Sequence, residues 1–120
     1  MSEAELPLQY LRGIELFNAR KYFDCHEAFE EIWLPAKGME REFLHAIIQA
    51  AVALYHHQRG NHKGAASVYR RARLKLDNLP GVMMRLDTRS FASDLDSFFA
   101  TAFDTDGPKS PPPELRLLKS

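Results

Sequence analysis

Phe43-Leu44-His45-Ala46-Ile47-Ile48-Gln49-Ala50-Ala51-Val52-Ala53-Leu54-Tyr55-His56 is the most apolar run in the chain. Apolar side chains surround nearly the whole helical circumference and leave only a narrow polar stripe, the pattern of a helix enclosed by other helices. The spacing predicts a central helix from about Glu40 to Arg59, broken by Gly60-Asn61, where glycine accepts left-handed backbone and asparagine caps the next helix. A second helix from about Tyr22 to Trp33 precedes it and stops before Pro35 and Gly38. A first helix begins near Pro7 and runs to Arg20-Lys21. A fourth spans His62 to about Leu79, ending at Pro80-Gly81. A fifth covers Ser90 to Phe103, with Phe91, Leu95, Phe98, Phe99 and Ala102 on one face. Strand signals are almost lacking. Gly107-Pro108-Lys109-Ser110-Pro111-Pro112-Pro113 cannot be helical, so residues 107–120 are expected to form an extended or mobile Pro-rich tail after a single helical domain over 1–106.

A weak internal repeat supports the architecture. A shift of forty residues pairs Ile14 with Leu54, Cys25 with Ala65, Ala28 with Val68, and Phe29 with Tyr69, and superimposes the breaks Arg20-Lys21 and Gly60-Asn61. A small residue four places before an aromatic resembles the packing of helix-hairpin repeats of the TPR kind, in which the small side chain lets two helices approach. The expected fold is therefore all-α: a compact bundle of about five helices, made of two hairpins and a closing C-terminal helix.

Composition narrows the function classes. The 120 residues are 45% hydrophobic and 11% aromatic, enough for one domain with a real core. Formal net charge is zero, so nothing drives general association with nucleic acid or anionic membrane. The zero hides an asymmetry: Lys21 to Glu42 carries three bases and six acids, whereas Arg59 to Lys75 carries six bases and no acid. Helical spacing spreads those bases around the axis, which argues against a nucleic-acid site. No apolar run is long enough for a transmembrane helix, and Met1-Ser2-Glu3-Ala4-Glu5 is unlike a signal peptide. A single cysteine, Cys25, excludes a disulfide framework and multi-thiolate metal sites, and suits a cytoplasmic location. On its helix Cys25 falls on the apolar arc and reads as a core residue.

The chemistry-bearing residues lie on the second and third helices. His26 and Glu30 are one turn apart at the edge of the apolar arc, with Asp24, Glu27 and Glu31 farther toward the polar side. Glu42, His45, Gln49 and His56 share a stripe of the third helix. If that stripe faces His26 and Glu30, imidazoles, carboxylates and an amide converge, the ligand types for zinc, iron or manganese. If it faces solvent, the stripe is simply the polar side of the helix. Recognised motifs do not settle the matter. His26-Glu27-x-x-Glu30 lacks the second histidine of a zincin, and Glu42-x-x-His45 is one half of a di-iron pattern that needs two.

Tyr22-Phe23-x-x-His26-Glu27-x-x-Glu30-x-x-Trp33, then Phe43-Leu44-x-x-Ile47-Ile48-Gln49-x-Ala51-Val52-Ala53-Leu54-Tyr55-His56, then Arg59-Gly60-Asn61-x-x-Gly64-Ala65 resemble the bacterial and archaeal DUF309 family, over about residues 13–80. The resemblance implies a small all-α domain of unknown function, in a family sometimes described as metal-dependent without an established reaction. It maps the family's polar positions onto His26, Glu27, Glu30, Gln49 and His56, with His45 the weaker candidate. The reading favours a non-enzymatic interaction or structural module, with a protein partner or a homo-oligomer, no membrane and no nucleic acid. Its alternative is a metal- or small-ligand-binding domain, including a metal-dependent hydrolase. In that case a divalent metal is held by His26, Glu30 and His56, with Glu30 or Glu27 as the catalytic base.

Overall fold

The structure is a computed structural model that describes residues 6–119; Met1 to Glu5 lie outside the described residues. The apolar run quoted above lies in α3 (Gly38–Gln58), where Phe43, Leu44, Ala46, Ile47, Ala50, Ala51, Ala53 and Leu54 are all fully or nearly fully enclosed. α2 (Tyr22–Trp33) packs along one side of it and α4 (His62–Asp77) along the other. α1 (Leu8–Asn18) forms a hairpin with α2, and α5 (Thr88–Thr101) closes over α4. The fold is all-α, with five helices among the described residues, as the periodicity requires, and the helix limits differ from the expected ones by about two residues. The earlier start of α5 has a local cause: Asp87 caps it by accepting from the Ser90 amide at 2.9 Å. No helix among the described residues is long and apolar enough to cross a membrane.

The forty-residue repeat is a repeat of structure. α1 ends with Arg20 N–H donating to the Phe17 carbonyl and Lys21 N–H to Leu16; α3 ends with Gly60 donating to His57 and Asn61 to His56. Both are Schellman turns, and their left-handed residues, Arg20 (φ 64°) and Gly60 (φ 76°), are equivalent under the shift. The small partners Cys25 and Ala65 are both fully buried. Phe29, also fully buried, contributes roughly 1.5–3 kcal/mol through apolar burial. It reaches its place only because α1 carries glycine opposite: a Cβ on Gly13 would lie 2.5 Å from the Phe29 ring.

Two features add to the expected architecture. Val82–Met83 and Leu86–Asp87 form a short antiparallel hairpin, β1 and β2, with Met83 paired to Leu86 and Val82 to Asp87. Its turn residues Met84 and Arg85 both have positive φ, 46° and 62°. Asparagine and glycine usually fill such a two-residue turn, so the residues here carry no hairpin signal. Tyr10 Oη donates to the Met84 carbonyl at 3.0 Å and Leu118 N–H to the Arg85 carbonyl at 2.7 Å, which hold the turn from outside.

The second is the tail, which is extended, as its prolines require, and is tied to the domain at several points. The Asn18 amide donates to the Leu115 carbonyl at 2.8 Å and accepts from the Leu115 N–H at 2.7 Å. Leu115 and Pro113 are buried, Leu117 bridges to Leu86, and Thr101 Oγ1 accepts from the Lys109 amide at 2.8 Å. These contacts come from distant residues, which tail composition cannot reveal.

Candidate functional site

α2 and α3 lie antiparallel, and rings clamp both ends of their seam. Phe23 meets Tyr55 at 5.8 Å between centroids at one end, and Trp33 stacks on His45 at 5.1 Å and 18° at the other. Between these clamps α2 contributes His26 and Glu30, one turn apart, with Nε2 and Oε2 at 3.1 Å and the two side chains 32% and 43% exposed. α3 contributes half-buried Gln49, whose Oε1 is buried without a partner among the described residues; Trp33 Nε1 is likewise buried and unpartnered. An unmet acceptor and an unmet donor thus sit in the same seam, an arrangement that calls for water or a small shift of either side chain. His45, on the same stripe, has its pKa pushed below the ordinary histidine value, first by burial and then by the charge of Lys75. It therefore stacks on the indole as a neutral ring at neutral pH.

The other expected members lie elsewhere. Glu27 is exposed and lines a depression between α1 and α2 with Gln9, Arg12 and Asp24. His56 sits at the α3–α4 corner, where Asn61 Nδ2 and His56 Nδ1 are 3.3 Å apart while Asn61 Oδ1 accepts from Gly64 N–H at 3.0 Å. There the imidazole steadies the residue that caps α4. No group of three or more His, Cys, Asp or Glu among the described residues is placed to hold a metal ion. The structure brings His26 and Glu30 together and leaves Glu27 and His56 outside the pair.

Residues outside the candidate set carry several tertiary contacts. Arg41 places its guanidinium 4.3 Å from the Trp33 ring and donates from Nη1 to the carbonyls of Trp33 (2.9 Å) and Leu34 (3.0 Å), closing the C-terminus of α2. His57 Nε2 lies 3.1 Å from the Ala102 carbonyl, and the ring sits edge-on to Phe98 at 5.0 Å. The repeat contains a signal for this residue, because the shift that maps Phe17 onto His57 also maps Tyr22 onto His62. Phe17 and Tyr22 are ring partners at 5.3 Å, as His57 and His62 are at 6.3 Å. Asp96 of α5 accepts from Tyr69 Oη and, at 2.9 Å, from Arg73 Nε, while Lys75 pairs with Glu42. Of the bases on α4, Arg73 is thus paired with α5 and its own Asp77, and Lys75 with α3.

Comparison with known proteins gives a consistent picture. The family described as Domain of unknown function (DUF309) matches residues 10–68. The uncharacterized protein YpuF of Bacillus subtilis (strain 168) is 48% identical over 62 residues, a match covering 49% of this chain; the chain thus spans about a third (35%) of that relative. The crystal structure of the conserved hypothetical protein TTHA0068 from Thermus thermophilus superimposes with a TM-score of 0.65 at 33% identity, covering 76% of this chain and 94% of that one. The matched stretch contains the seam, with its ring clamps and its His26–Glu30 pair, and the chain belongs to the DUF309 family.

Proposed function

We propose that the chain is a non-enzymatic interaction and structural module. In this reading His26, Glu27, Glu30, Gln49 and His56 serve helix packing and surface recognition. The observation that carries it is the dispersal of these residues: Glu27 faces the α1 side, His56 the α4 cap, and only His26 and Glu30 form a pair. A partner would meet the half-exposed seam, where Phe23 leaves 55% of its surface in solvent beside the His26–Glu30 pair. That partner is a protein, either a second copy or another chain, and not a nucleic acid. A cytoplasmic setting belongs to the same reading and is supported by the lone buried thiol.

The metal alternative, with His26, Glu30 and His56 as ligands of a divalent ion and Glu30 or Glu27 as base, draws support only from the His26–Glu30 pair. Calorimetric titration of tag-free protein with zinc, manganese and ferrous salts separates the two. The module predicts no stoichiometric site that both His26→Ala and His56→Ala abolish. A one-to-one site lost in both variants would reverse the assignment. Sedimentation equilibrium of the wild type and Phe23→Ser then tests whether the seam supports self-association.

A further inference from the structure

The forty-residue shift that superimposes the two hairpins also superimposes the outer faces of α2 and α4, and it inverts their charge. Glu30-Glu31-x-x-Leu34 falls on Arg70-Arg71-x-x-Leu74. α4 turns Ala65, Ala72 and Leu76 into the core and leaves Lys63, Arg70, Arg71 and Leu74 exposed on the opposite side. On α2, Glu27, Glu31 and Leu34 are exposed, and Glu30 is half-exposed. Both leucines stand in solvent, Leu34 at 62% and Leu74 at 66% of their surface, and Leu74 lines a cleft of about 340 Å³ with exposed Met39 and with Leu79. The domain leaves the charges of both faces open. Arg73 and Lys75 are paired with acids of the same chain, but Lys63, Arg70 and Arg71 make no ion pair among the described residues. Asp24 and Glu27 make none either, and Glu31 accepts from the neutral Gln9 amide, with Arg12 bordering the same depression. The two faces cannot meet within one chain, because α2 and α4 each pack on α3 and turn these residues outward.

We propose that the outer face of α2 docks against the outer face of α4 in a second copy of this chain. Leu34 seats in the cleft lined by Met39, Leu74 and Leu79, and Glu27, Glu30 and Glu31 lie opposite Lys63, Arg70 and Arg71. The same one-turn offset separates charges from leucine on both helices, so the ion pairs stay in register when the two helices run parallel. The contact joins two different surfaces, so it closes reciprocally into a dimer or extends to further copies. It rests on the interaction-module reading and names the partner that reading leaves open.

The test is sedimentation equilibrium of the full chain at about 50 mM and about 500 mM salt. The expected result is reversible association that the higher salt weakens at least about fivefold. Glu27→Lys with Glu31→Lys, and separately Arg70→Glu with Arg71→Glu, should each weaken it about tenfold or more. An equimolar mixture of the two variants should restore it, because each then carries the charges the other lacks. These changes leave the His26–Glu30 pair and the core in place, and circular dichroism checks the fold; if a variant does not fold, the salt dependence and an about tenfold loss in Leu74→Ser carry the test. The contact is overturned if the wild type stays monomeric up to about 500 μM at low salt, if association ignores salt, or if the mixed variants do not associate. It is also overturned if Phe23→Ser abolishes association that both charge variants retain, which would put the second copy on the ring clamp. A monomer leaves the module reading standing with another chain as partner; that reading fails separately, on a one-to-one metal site lost in both His26→Ala and His56→Ala.

Discussion

Arg20 and Gly60, forty residues apart, are the left-handed residues of two equivalent Schellman turns, at φ 64° and 76°. Glycine adopts this backbone without strain, whereas an L side chain pays about 1 kcal/mol or more. Arg20→Gly should therefore stabilise the protein by roughly 0.5–1 kcal/mol, and Gly60→Ala should destabilise it by about 1 kcal/mol. The Ala Cβ would point into open space, so the second effect isolates the backbone term. Thermal unfolding followed by circular dichroism reads both; a fall in midpoint for Arg20→Gly would contradict the argument.

Gly13 and Phe29 set the closest approach of α1 to α2. Gly13→Ala would place a methyl 2.5 Å from the ring, and the expected cost of this overpacking is about 1–3 kcal/mol. Adding Phe29→Leu should recover part of the loss, giving a coupling above about 0.5 kcal/mol in a double-mutant cycle by urea denaturation.

Asn18 holds the tail through a pair of hydrogen bonds to the backbone of Leu115. Asn18→Ala is expected to cost about 1–3 kcal/mol, since it also leaves the buried Leu115 groups unpaired. Amide exchange at Leu115 should accelerate well before exchange in α3 does. Equal acceleration in both would mean that the tail is an inseparable part of the core.

Cys25 is fully buried, and burial, assisted by the charge of Asp24, pushes its thiol pKa up to about 12. Labelling by a disulfide reagent at pH 8 should follow the opening of the fold and rise with urea; rapid labelling in native buffer would refute this. The folded-state pKa exceeds the unfolded one of about 8.5, so the thiol's contribution to stability is complete below that pH. It then declines as pH rises toward the folded value. Urea midpoints at pH 7 and pH 10 should show the decrease.

Along the seam, the pair with the family motif should matter less to stability than a residue outside the candidate set. The His26–Glu30 pair is one-third to two-fifths exposed, so His26→Ala should change stability by less than about 1 kcal/mol. Arg41 combines charged donation to two carbonyls with its position over Trp33, and Arg41→Ala should cost about 1–3 kcal/mol. Trp33 fluorescence should change in the second variant, and chemical denaturation of both checks the order.

Much of the helical frame was legible. Phe43 to His56 is apolar on nearly every face, which only an enclosed helix satisfies, and Gly60-Asn61 supplied both a left-handed residue and a cap. The candidate site was legible only as a set of faces. Periodicity placed His26 with Glu30, and they do pair, because a one-turn offset is a local property of a helix. It also grouped His56 with Gln49, but whether such a stripe meets another helix depends on how α3 is rotated against α2, which no local spacing encodes.

The sequence by itself determined the all-α class, the five helices and the hairpin repeat, since these follow from local periodicity, capping and backbone permissiveness. The DUF309 resemblance was also legible in its ordered motifs. Only the tertiary structure decided the fate of the polar residues and of the tail. Glu27 and His56 diverge from the His26–Glu30 pair, Arg41 closes α2 over Trp33, and Asn18 secures a backbone ninety-seven residues away. Those outcomes rest on hydrogen bonds and ring contacts between distant segments, whose partners exist only once the helices have packed.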